Sequence, residues 1–165
     1  MNTLASRDLV NDIFKGSFIL DSRTPVDNLE EGARLHGGAT QVGFYTYSNI
    51  DNGQPIELYE EGNIYGIIVP STINVNETID NEEFVQYVNR KMSIIDDTEV
   101  CAGAGSWYSS DLNEVIVENN NIVTMISDME PSVVLQYMRL IALNLKDMMA
   151  QEGVSIIIND GLVIV

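Results

Sequence analysis

Few residues in this chain have the type and setting to do chemistry. His36 is the single histidine, within Arg34-Leu35-His36-Gly37-Gly38. An imidazole suits general acid–base work near neutral pH, and the glycine pair beside it would let a substrate approach. No Gly-x-Ser-x-Gly nucleophile motif accompanies it, so His36 is expected in a loop, as a polar candidate without a catalytic constellation. Cys101 is the single cysteine. A reactive thiolate wants a helix N-terminus or a cationic neighbour, whereas the residues around it are Asp96, Asp97 and Glu99. It reads as a small buried hydrophobe.

Gly103-Ala104-Gly105 has the look of a phosphate-binding turn, but no helix follows to supply free amides and a dipole. These glycines are expected to allow a bend, or the close approach of a helix or a ligand. Glu60-Glu61, Glu82-Glu83 and Asp96-Asp97 are adjacent pairs, so each pair points to different faces. That spacing suits neither a divalent metal nor a glycosidase. No metal, no cofactor and no catalytic set is expected.

What remains is surface for recognition. Trp107, Tyr108, Tyr45 and Tyr47 place aromatic rings on expected strands, and a sheet face left without helices would present them to a partner. Met138 and Met148 belong to a methionine-rich stripe that could adapt to a second surface.

Charge narrows the partners. Eight Lys and Arg face 25 Asp and Glu, a net −17. No Lys or Arg lies between His36 and Arg90, or between Lys91 and Arg139. Nucleic acid and anionic membrane are excluded as direct partners, because both need cations to displace counterions. A protein partner or a second copy of the chain is expected instead. No apolar run approaches the ~20 residues of a membrane span. The first eight residues lack a basic region followed by an apolar one, so no secretion signal is expected. One cysteine fits a reducing compartment. The expected location is the cytoplasm, or a virion if the protein is phage-encoded.

The elements that must position these residues follow from periodicity. At 165 residues, 45% hydrophobic and 20% charged, the chain can bury about two-thirds of its unfolded surface. An amphipathic helix is expected over 3–15, and a β-rich run over 42–47. Strands follow at 56–59 and 64–69. A capping box on Asp80 should open a helix through Phe84, Val85, Val88, Met92 and Ile95. Strands at 98–108 and 114–126 come next, the second interrupted by a bulge or edge exit at Asn119-Asn120-Asn121. Pro131 starts the strongest helix, apolar over more than one face, with Gly153 as its C′ residue. A type I′ hairpin on Asp160-Gly161 closes the chain.

The strand–helix–strand–strand–helix–strand order predicts an α+β fold. Its expected form is a ferredoxin-like (βαββαβ) antiparallel sheet with two helices on one face. An N-terminal helix and strand extension (1–55) precedes the α+β sandwich core (56–165), which ends in a C-terminal β-hairpin. Short length and abundant Asn and Ile resemble small proteins of AT-rich bacteria and their phages. The leading expectation is a non-catalytic interaction or assembly module, such as a phage structural or accessory protein. One alternative is an acidic inhibitor that mimics nucleic acid in a basic groove. The other is a small ligand-binding protein or enzyme with a site on the sheet face or at a subunit interface.

Overall fold

The computed structural model describes residues 6–15, 18–21, 39–41, 56–73, 77–109 and 112–165. Its elements, in chain order, are α1 (Ser6–Ile13), β1 (Phe18–Asp21), β2 (Ala39–Gln41), β3 (Asn63–Val69), β4 (Thr72–Ile73) and β5 (Glu77–Thr78). Then come α2 (Glu82–Met92), β6 (Thr98–Ser109), β7 (Glu114–Ser127), α3 (Pro131–Met148), β8 (Ser155–Ile158) and β9 (Gly161–Ile164). The fold is α+β. Its main sheet runs β9-β8-β3-β7-β6, antiparallel at every described pairing, with β1 added beside β9 and β2 beside β6.

Alternation along β3 explains which face the helices take. Tyr65, Ile67 and Val69 point one way, to Val123 and Met125 of β7 and to Ile156 and Ile158 of β8. Val88 and Met92 of α2, and Val134, Leu135, Met138, Ile141, Ala142 and Leu145 of α3, pack with them in one cluster. In α3 these six recur three and four apart, the stripe that an amphipathic helix presents to a sheet. Part of the helix's surplus apolar surface meets α1, whose Val10 lies inside the same cluster as Phe14, the residue just past its end. Residues on the other face, Ile68, Ile122, Ile157, Leu162 and Ile164, form a second and smaller cluster.

Several local expectations need correction. β7 runs unbroken through Asn119-Asn120-Asn121, in continuous register from Glu114 opposite Ser109 to Met125 opposite Thr98. The polar triplet has partners of its own, Asn121 Nδ2 donating to Asn81 Oδ1 at 3.0 Å, so no bulge is required. Asp80 accepts from the amide of Glu82, two residues on, and no capping box forms. Asn81 instead ties the start of α2 to the end of β3 by donating to the Pro70 carbonyl.

α3 ends at Met148, and the left-handed residue after it is Ala150 (φ 49°) rather than Gly153. Gly153 serves close approach instead: a Cβ there would lie 2.8 Å from Ile164 Cγ2. The final hairpin turns on Asn159-Asp160, one residue earlier than expected. Only Asn159 has positive φ, whereas a type I′ turn needs it at both central residues. The Asn159 side chain accounts for that choice, accepting from the Ile64 amide and donating to Asn63 Oδ1, each at 2.9 Å.

Candidate functional site

The face of the sheet without helices carries a groove of about 610 Å³. Ile122, Thr124 and Ile126 of β7 run along it, with Ile64 of β3, Ile157 of β8, and Glu99 and Cys101 of β6 beside them. Between two of the lining residues lies Gly66, paired with Thr124 on one side and Ile157 on the other. A Cβ at Gly66 would lie 3.1 Å from the Thr124 methyl, 3.2 Å from the Val123 carbonyl and 3.3 Å from Ile157 Cβ. The missing side chain therefore lets Thr124 and Ile157, which both line the groove, close in over this point of β3.

Carboxylates border one side of this apolar groove. Asp96 and Asp97, on the connection from α2 to β6, line it together with Glu99. The connection is held in place from α2: Thr98 Oγ1 donates to Asn89 Oδ1, and the Ser93 hydroxyl lies 3.2 Å from that of Thr98. Asp97 folds back to donate its amide to Asp96 Oδ1 at 2.8 Å. Beyond Ile122, the same face of β7 continues into Asn120 and Glu118, both buried. Glu118 accepts from the Thr72 hydroxyl. Small-molecule sites are concave, mostly apolar and provided with a few fixed polar groups. The groove has each of these properties.

Tyr65 points the other way, into the core, and is fully buried. Its hydroxyl has no hydrogen-bond partner among the described residues. Burial pushes the hydroxyl up to about 12; the Asn63 side chain, near the hydroxyl but outside hydrogen-bonding geometry, opposes the rise, and the charge of Glu130 adds to it. Two outcomes follow for Tyr65→Phe. At pH 7 the variant should be more stable by about 1 kcal/mol, since a buried polar group without a partner is removed. The folded-state value is raised, so below pH 10 the phenol contributes equally in both states. As pH climbs from 10 towards 12 the unfolded state ionises first and the native protein loses stability. Tyr65→Phe should escape that loss, about 1 kcal/mol by pH 11. Urea melts of both proteins at pH 8 and pH 11 check both outcomes.

The groove differs from the site expected from sequence. His36, Tyr45 and Tyr47 lie outside the described residues. Trp107 and Tyr108 are placed in β6, opposite Ile116 and Val115, with their side chains outside the described set. Met138 is fully buried between α3 and the sheet, so it presents no surface, while Met148 is 41% exposed at the end of α3. The structure does not gather the two methionines at the groove, which lies on the opposite side of the sheet. Cys101 is exposed rather than buried, because its strand position turns it to the helix-free face. Sequence reasoning missed Gly66, Thr124 and Ile126. A glycine in mid-strand and apolar residues at consecutive positions of β3 were the available signals. Among the described residues no helix is long and apolar enough to cross a membrane.

No protein-family model and no curated protein matches the chain. Among solved structures, a phage SAM lyase in complex with S-methyl-5′-thioadenosine is similar, at 19% identity and a TM-score of 0.50. The match covers 60% of this chain and 81% of that one. A phage SAM lyase in the apo state is similar at 20% identity and a TM-score of 0.48, over 62% and 87% of the two chains. At this identity the first likeness is one of fold. It corrects the expectation of a non-catalytic assembly module, because the fold shared across four-fifths of that neighbour is the fold of an enzyme.

Proposed function

We propose that the chain is a small ligand-binding enzyme whose site lies on the helix-free face of the sheet, and that its ligand is an adenosyl thioether or sulfonium compound of the S-adenosylmethionine type. The observation that carries this reading is the groove itself. It is about 610 Å³, within the range that accommodates small molecules, with an apolar bed and carboxylates along one side. An apolar bed suits a thioether and a heterocycle. Carboxylates suit the cationic sulfonium and ammonium groups of S-adenosylmethionine. The ligand class is suggested by the fold neighbour, which was solved with S-methyl-5′-thioadenosine.

The sheet order β8-β3-β7-β6, with α2 and α3 packed in one cluster on one face, supports a ferredoxin-like core for this enzyme. The phage origin of the neighbour supports a cytoplasmic protein of an infected cell. Self-association belongs to the same proposal, with a second copy closing the open side of the groove.

Cys101 provides the test, since its exposed thiol lines the groove. S-adenosylmethionine or S-methyl-5′-thioadenosine at ten times its dissociation constant should slow alkylation of Cys101 about tenfold, as free sites fall to about a tenth. Titration calorimetry supplies the constant. An alkylation rate unchanged by millimolar ligand would remove the groove from consideration.

A further inference from the structure

We infer that Asn120, with Glu118 beside it, is the polar recognition point that accepts a hydrogen bond from the amino group of the ligand's planar base. The inference rests on the adenosyl ligand proposed above and assigns the residues that would select its base.

Asn120 is only 6% exposed, and its side-chain oxygen has no hydrogen-bond partner among the described residues. Buried acceptors are nearly always satisfied, so one left open at a strand position asks for a partner that the described residues do not supply. Strand alternation sets its direction. Asn120 and Ile122 are two residues apart on β7 and share a face, and Ile122 lines the groove. Glu118, two residues further along, completes the row, held by the hydroxyl of Thr72.

The neighbouring strand places glycines beside that row. Asn120 is opposite Gly103 and Glu118 is opposite Gly105. Neither glycine carries a side chain to fill the place next to the two acceptors. Among the described residues a Cβ at Gly103 would meet Ile122 alone, whose Cδ1 lies tight against it at 3.0 Å. The Gly103-Ala104-Gly105 sequence thus acquires a role that its resemblance to a phosphate turn did not supply. At Gly103 a flat ring would have only the flexible end of Ile122 to displace before it met the backbone.

The chemistry of the pair decides what the ring must carry. The open atom of Asn120 is its oxygen and the Glu118 carboxylate is an acceptor too, so the matching group is an N–H donor. Four strand residues, about 13 Å, separate Asn120 from Thr124, which pairs with Glu99 at the carboxylate side of the groove. The base and the cationic end of one extended ligand would then occupy opposite ends of the site.

Calorimetric titration of the full chain with adenosine, inosine and S-adenosylmethionine tests this. Inosine places a carbonyl acceptor where adenosine has its amino donor. Wild type should bind adenosine at least about tenfold tighter than inosine, since a site built around one hydrogen bond rejects the analogue lacking it. Asn120→Leu should weaken adenosine about tenfold to hundredfold and erase the discrimination, with folding checked by its circular dichroism melt. The adenosine–inosine comparison needs no variant, so it stands even if Asn120→Leu does not fold. Equal affinity of wild type for the two nucleosides, or full adenosine affinity in a folded Asn120→Leu protein, overturns the inference while leaving the groove as the site. Failure of all three compounds to bind wild type overturns the adenosyl reading, and the assignment of Asn120 with it.

Discussion

Leu135→Ala is expected to lower the free energy of unfolding by about 2–5 kcal/mol, a loss made of lost transfer energy plus the cavity left behind. Leu135 is fully buried in the first half of α3, in the cluster that joins this helix to β3, β7 and β8. Its neighbours Val134, Met138 and Ile141 lie in the same cluster, and the helix that carries them is packed against both the sheet and α1. They have little freedom to collapse into the space, which places the cost towards the upper part of that range. A domain of this size has about 5–15 kcal/mol in total, so the variant should be marginal at physiological temperature. Leu140→Ala on the same helix is the control. Leu140 is 54% exposed, and its truncation should change stability by no more than about 0.5 kcal/mol. Urea melts with an unchanged slope would attribute the difference to the native core rather than to the denatured ensemble. Equal losses in the two variants would contradict the packing described.

Gly66→Val should act on stability and binding together. The added Cβ begins 3.1–3.3 Å from a methyl, a carbonyl oxygen and a branched carbon on two flanking strands. Of these the carbonyl of Val123 belongs to the sheet ladder and cannot step aside without breaking the register. Overpacking of this kind costs about 1–3 kcal/mol, partly offset by the better strand preference of valine. The side chain would push aside Thr124 and Ile157, which line the groove where the proposed ligand lies. Binding of S-adenosylmethionine or S-methyl-5′-thioadenosine should weaken more than tenfold in protein shown to be folded, and Cys101 should no longer be protected from alkylation. Gly103→Ala is the contrasting change. The atom it meets is the end of the flexible Ile122 side chain, so its effect on stability should be small. Unchanged affinity in folded Gly66→Val protein would place the ligand elsewhere.

The two outcomes show which features could be read before the fold was known. The stripe of α3 was legible because a period of 3.6 residues and a proline in the first turn are properties of the local chain. Leu135 could be assigned to a helix core on that basis, although Met138 in the same stripe was put forward as a surface. Position in a stripe does not say which part of it a neighbour covers. Cys101 was misplaced for a related reason. Its neighbours in sequence are acidic, but its burial depends on which face of β6 the helices occupy.

Polar residues resisted sequence reading most. Asn119-Asn120-Asn121 looked like an interruption because asparagine disfavours strands. The continuous register of β7 with β6 and β3 overrode that preference. Asn121 found a partner in Asn81, forty residues away in the chain. No local pattern announces such a pairing.

By itself, then, the sequence determined the α+β class, the order of β3, α2, β6, β7, α3, β8 and β9 but not the expected strand at 56–59 or the short β4–β5 pair, the apolar stripe of the long helix, and a charge that repels phosphate backbones. Each of these depends on composition or on residues within a turn or two of one another. The tertiary structure alone decided which sheet face the helices leave open, that Gly66 lies between Thr124 and Ile157, and that Gly103 and Gly105 stand opposite Asn120 and Glu118. Strand alternation sorts side chains onto two faces but does not name the covered one, and register sets every neighbour across a sheet. The groove is made of such neighbours, drawn from four strands, and so came into view only once the chain had folded.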